Sequence, residues 1–198
     1  MNNQAIIAQL LDTPRDVATV RLSAAAGGIP TSAGLYAWWV QHGALPGVPA
    51  YPHPTEPGWD LLYIGIAPRN LASPATMRSR VHRHHLGGNA GSSTFRLSLA
   101  ALLLDTMGWH LNELSSRHNL PATDNARLSD WQRRHLRLTW AIVADPWAIE
   151  QEVIAALQPP LNLKYNRGHP FYPTIAAARA RYKGVVYESR SREQTPSE

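Results

Sequence analysis

Two apolar runs rich in aromatic and β-branched residues, 35–40 (LYAWWV) and 61–67 (LLYIGIA), are held apart by twenty residues. That insert contains Pro46, Pro49, Pro52, Pro54 and Pro57. Proline has no amide hydrogen and a fixed φ, so the insert can form neither a helix nor a central strand. The flanking runs read as strands, and the insert as an irregular loop of the kind that is usually functional or mobile. A third run, 136–144 (LRLTWAIVA), has the same strand character.

Helical patterns fill much of the remainder. Residues 3–12 place Ile6, Ile7, Leu10 and Leu11 on one side. A Gly/Pro/Ser loop spans 24–34, and Ser73-Pro74 opens a helix over 74–86 that Gly87-Gly88 stops. Ser92 or Ser93 caps a more apolar helix to about Met107, and 109–134 is weakly patterned helix. Asp145-Pro146 opens a helix to Leu157, which Pro159-Pro160 ends. A basic helix is expected over 173–183, with a frayed polar tail from Ser189. A chain of 198 residues suits one domain. The expected class is α/β (α+β), a small three-stranded sheet flanked by helices.

Several function classes fall away. The chain has no cysteine, which excludes disulfides, thiolate zinc sites and cysteine nucleophiles. No apolar run reaches the ~18 residues of a membrane span. The first residues carry no basic secretory signal, so the expectation is a soluble, cytoplasmic, monomeric protein without a membrane partner. The net charge is +5, and seventeen of the nineteen basic residues are arginine, whose planar fork matches phosphate. From Leu61 to Leu104 there are five arginines, three histidines and no carboxylate. Nothing local cancels that positive field, and an anionic partner such as nucleic acid is expected there.

The helix 146–157 contains an anomaly. At about 100° per residue, Ile149, Val153, Ile154 and Leu157 share an apolar face. Glu152 points away from it, whereas Glu150 falls in its middle. A carboxylate there is costly unless satisfied, so Glu150 is either half of a buried ion pair or a metal ligand or acid/base group. On the helix 74–86, Arg80 and His84 lie four apart and flank Met77 and Val81. Together they could hold a phosphate and move a proton, or simply form a solvated face. His82 and His85 share a face, but no nearby carboxylate completes a metal set. Tyr36 and Tyr63 lie in the first two strand runs, each near a glycine (Gly34 and Gly65), and alone would be read as core residues.

In order, the chain presents Gly34-Leu35-Tyr36, Tyr63-Ile64-Gly65, Arg80 with His84 four residues on, Glu150, and Asn162 twelve residues later in a Pro-containing turn. That set resembles the GIY-YIG nuclease superfamily over residues 33–165. The resemblance implies that fold and a metal-dependent endonuclease acting on nucleic acid, most simply DNA. Residues 1–32 would be an N-terminal helix and loop, and 166–198 a basic C-terminal helix and tail. By resemblance, Glu150 would hold Mg²⁺ or Mn²⁺, Arg80 would neutralise the reacting phosphate, and Tyr36 and Asn162 would orient the site. Tyr63 is the implied general base, although a free phenol has a pKa of about 10, which leaves His84 as a rival. Arg69, Arg78, Arg83 and Arg96 are expected on backbone phosphates. Two departures stand out: Ile66 follows the second glycine where some relatives carry Lys or Ser, so any role of that lysine in positioning the attacking water is either missing or passes to Arg69, and the insert is long. A catalytically inactive nucleic-acid-binding domain is the alternative, as is an interaction module using the Pro-rich loop and exposed Trp residues.

Overall fold

The computed structural model describes residues 2–18, 28–109 and 119–193, with side chains as far as Lys183. Its centre is one antiparallel sheet of four strands: β1 (Arg15–Asp16), β2 (Gly34–Gln41), β3 (Trp59–Ala67) and β4 (Leu136–Ile142), ordered β1-β4-β2-β3. The expected three strands are present, and β1 is the correction. Two residues after a proline carry no periodic signal, so pairing with the edge of β4 decides their conformation. Side chains reinforce it: Arg137 pairs with Asp16 at 3.0 Å, and the Arg15 guanidinium lies 4.7 Å from the Trp140 ring centre.

β2 is central and buried on both faces, which explains why its run is apolar without alternation. Leu35, Ala37 and Trp39 face a core shared with α1 (Asn3–Leu10) and α6 (Pro146–Leu157), through Ile6, Leu10, Val153 and Ile154. Tyr36, Trp38 and Val40 face the larger core. That side is covered by α2 (Met77–Ser79 continued by Arg80–Leu86), α3 (Thr94–Leu102), α4 (Leu104–Met107), α5 (Ala122–His135) and α7 (Tyr172–Glu193).

Several boundaries differ from expectation. α2 is capped by Thr76, whose side chain accepts from the Ser79 amide, and Ser73-Pro74 lie outside it. The amides of Met77 and Arg78 donate to Ser32 and Pro30 carbonyls at 3.1 Å each, so the loop before β2 fixes where this helix starts. From Arg80 it widens into a π-helix, closed by Gly87 N–H donating to His82 O, five residues back, at 2.8 Å. Such widened turns often occur at functional sites.

Of the helix expected over 109–134, the described part begins at Ala122; residues 119–121 before it are not helical, and Asn89 there bonds both the amide and the carbonyl of Leu120. Residues 110–118 of that expectation, and 24–27 of the loop, lie outside the described residues. α7 runs past 183 and past Ser189 to Glu193, since no proline interrupts it before Pro196; the tail beyond lies outside the described residues. The Pro-rich insert is irregular as expected, but it is anchored. His53 is buried against Trp39 and bonds Asp12 O at 3.1 Å, and the Tyr51 hydroxyl meets His169 Nε2 at 2.6 Å. Among the described residues, no helix is long and apolar enough to cross a membrane.

Candidate active site

Strand pairing places Tyr36 opposite Gly65. A Cβ at Gly65 would collide with the hydroxyl and ring of Tyr36, so the phenol crosses the sheet only because that position is glycine. Gly34 is constrained likewise: a Cβ there would strike the Ala141 carbonyl and the Met77 side chain, which seats α2 on the sheet. The two glycines of the motifs thus let a tyrosine and a helix approach β2 and β3 closely.

Against this platform lies a cavity of about 270 Å³ whose wall includes Tyr36, Tyr63, Arg69, Arg80, His84, Glu150 and Lys164. Tyr36 and Tyr63 come from β2 and β3, and Arg80 and His84 from the π-helical part of α2. Glu150 comes from α6, with its side chain only 12% exposed and Oε2 3.0 Å from Lys164 Nζ. Glu150 therefore does stand in an ion pair, one of the alternatives for it, although its partner Lys164 is exposed. Glu152, one turn-fraction away, is exposed and bonds Asn3.

Asn162 lies behind this wall. Its Oδ1 accepts from Ile64 N–H at 2.9 Å and its Nδ2 donates to Ile64 O at 2.8 Å. It thereby ties the turn after α6 to β3 beside Tyr63.

Burial sets the electrostatics. Burial pushes the Tyr36 phenol well above its usual range, helped by Tyr63 and opposed by Arg80. The Tyr63 phenol is also raised by burial, against the pull of Thr94 and Arg80. Burial, then Arg80 and Arg83, lowers the His84 pKa. At neutral pH the phenols keep their protons and the imidazole at the cavity is neutral.

The four arginines expected on phosphate divide. Arg69 and Arg83 are exposed, and Arg69 borders the cavity. Arg78 is half-buried and donates from Nε to Ile29 O at 3.0 Å. Arg96 must be reassigned, because it is fully buried and cannot meet a phosphate. Its guanidinium donates to the carbonyls of His85 and Leu86 at 3.1 and 3.0 Å, and to Gln132, Asn125 and Ser129. Those carbonyls end α2, so Arg96 caps the helix that presents Arg80 and joins it to α5. Burial pushes its pKa down to about 10.

Three residues near the site carried no sequence signal strong enough to find them. His85, set aside as a metal ligand, is buried between Tyr36 and Ser93, with Nε2 2.7 Å from the Tyr36 hydroxyl and Nδ1 2.9 Å from Ser93 Oγ. Lys164, two residues past Asn162, takes up a cationic place at the cavity while Ile66 supplies apolar wall. Arg179 reaches back from α7 to Ser98 Oγ at 2.9 Å and contributes positive charge near Tyr63. Tertiary placement alone distinguishes these three from other basic residues.

A divalent metal fits the donor set in one limited way. Among the described residues, no group of three or more His, Asp or Glu could enclose an ion. A single carboxylate at a cavity wall suits Mg²⁺, which keeps several waters and takes other oxygens from substrate phosphates. Glu150 is that carboxylate.

A family model described as the GIY-YIG catalytic domain matches residues 34–181, well over half of the chain. The match ends within α7, whose Ile175 and Tyr182 are buried in the larger core. No curated protein and no solved structure matches the chain.

Proposed function

The chain belongs to the GIY-YIG family of catalytic domains, and from that premise we propose that it is a divalent-metal-dependent endonuclease that hydrolyses phosphodiester bonds, with DNA as its substrate. The observation that carries this reading is the convergence of Tyr36, Tyr63, Arg80, His84 and Glu150, from four separate elements, on one cavity. A purely structural set would have no reason to place a carboxylate, a guanidinium and an imidazole around open space.

In this reading Arg80 binds the non-bridging oxygens of the scissile phosphate and offsets the charge that develops there. A divalent cation at Glu150 would polarise the same phosphate and stabilise the leaving oxygen. His84 accepts the proton of the attacking water: its lowered pKa leaves the imidazole neutral at pH 7. Tyr63, whose phenol stays protonated, orients that water as a hydrogen-bond partner. Tyr36 is held by His85 and lines the nucleophile side. Asn162 fixes β3 and is a positioning residue. Arg69 and Arg83 take neighbouring backbone phosphates, which positions the strand without reading sequence.

The test is plasmid nicking with Mg²⁺, with Mn²⁺ and with EDTA, for the wild type and for Glu150→Gln. Cleavage that needs the metal and the carboxylate supports the reading. Salt-dependent DNA binding without cleavage under any metal would leave an inactive binding domain.

A further inference from the structure

Beside the cavity lies a second, more open groove of about 590 Å³, lined by Leu163, Lys164, Tyr165, Arg167 and Tyr172. Lys164 belongs to both. Its Nζ is 3.0 Å from Glu150 Oε2 and 4.2 Å from the centre of the Tyr165 ring, so one ammonium links the carboxylate to an aromatic face.

Tyr165 is unusual twice over. It is 41% exposed, one of three large apolar side chains left outside among the described residues. Its backbone also sits at φ 62°, a left-handed conformation disfavoured for a bulky residue. Such strain persists only where the surroundings impose it. Here they do: Asn162 clamps Ile64, Asn166 Nδ2 donates to Pro159 O at 2.9 Å, and His169 meets Tyr51 of the insert. The turn is pinned on both sides of an aromatic ring that stays two-fifths exposed. Arg167, two residues on, is exposed and also lines the groove.

From this arrangement we propose that the groove is a subsite for an unpaired nucleotide adjoining the scissile phosphate, with its base stacked on Tyr165 and its phosphate held between Lys164 and Arg167. A part-exposed ring with an ammonium over one face, in a groove that also holds a guanidinium, is the chemistry that recognises a single strand, since every base offers a π-face. Bases of an intact duplex are already stacked on one another and cannot use it. The proposal rests on the nuclease reading and adds to it a preference for substrates with an unpaired residue beside the cut.

Binding in EDTA separates the two, because no cleavage is required. The probes are a fluorescein-labelled single-stranded DNA and its blunt duplex, titrated with the wild type, Tyr165→Phe and Tyr165→Gly. Glycine accepts the positive φ, so Tyr165→Gly removes the ring while relieving strain, and its thermal midpoint should not fall. Single-strand affinity should drop about tenfold in Tyr165→Gly, stay near wild type in Tyr165→Phe, and duplex affinity should hardly change. Arg167→Ala should reduce the single-strand salt slope by about 0.7. Equal single-strand affinity in the wild type and Tyr165→Gly, or equal loss on both probes, would overturn the subsite and leave the nuclease reading intact. A wild type that binds neither probe at low salt would overturn both.

Discussion

The phenol of Tyr36 crosses directly over Gly65, its partner across the β2–β3 ladder, in space that any side chain at position 65 would fill. Two motifs twenty-nine positions apart in the chain are thus one steric unit. Gly65→Ala should displace the ring and with it the bond to His85. Overpacking of this kind costs about 1–3 kcal/mol, to be read by chemical denaturation. Turnover should fall further than stability predicts, because Tyr36 loses its place in the cavity. A variant with native turnover would separate the glycine from the tyrosine.

Glu150 and Glu152 lie on the same helix and should behave oppositely. Glu150→Ala should abolish cleavage and leave DNA affinity nearly unchanged, since the metal proposed to bind there would serve the chemistry more than the binding. Glu152→Ala should be close to neutral: the side chain is exposed and only bonds Asn3. Cleavage and binding assays on both variants check the phase of α6.

How much of this was legible from sequence follows from the kind of signal each residue leaves. Glu150 was found because a carboxylate breaks an apolar helical period, and α6 has the expected bounds. The strands β2, β3 and β4 were legible because a strand covered on both faces is a continuous apolar run. β1 was not, since two residues have no period, and neither was the start of α2, which is set by contacts of its first turn with residues 30 and 32. Arg96 shows the limit most clearly. By composition it is one more arginine in a carboxylate-free stretch, yet burial turns it from a phosphate ligand into a helix cap. His85 and Lys164 were illegible for the same reason: their neighbours come from distant parts of the chain.

Arg96→Ala is accordingly a stability variant. Several carbonyls and polar side chains would lose their donor at once, and each unsatisfied buried acceptor costs about 1–3 kcal/mol. A severe loss of stability is expected, with the salt dependence of DNA binding unchanged in whatever folded protein remains. A flattened salt slope would return Arg96 to the nucleic-acid interface.

The histidine behind Tyr36 makes stability depend on pH. Burial, then Arg80, depresses the His85 pKa well below its usual value, so the unfolded chain binds a proton that the folded one refuses. The neutral imidazole's contribution is complete above the unfolded pKa of about 6.5 and declines as pH falls below it, by up to about 1.4 kcal/mol per pH unit. Urea unfolding between pH 5 and pH 8 should show that decline, and His85→Asn should flatten it at the cost of a lower plateau. An unchanged acid limb in the variant would assign the effect to other histidines.

Arg80 and Arg83 should separate catalysis from binding on α2. Arg80 lines the cavity, whereas Arg83, three residues on, is exposed outside it. Arg80→Ala should lower the single-turnover rate by about 100-fold or more, the cost typical of losing one preorganised donor to the transition state. It should leave the salt dependence of binding almost intact. Arg83→Ala should do the reverse: cleavage at saturating protein stays near wild type, and the slope of log K against log salt on duplex flattens by up to about 0.9. Binding isotherms at several salt concentrations, beside single-turnover rates, give both readouts for each variant. Normal cleavage at saturation by Arg80→Ala would make Arg80 a backbone clamp and leave the charge of the reacting phosphate to the metal and Lys164.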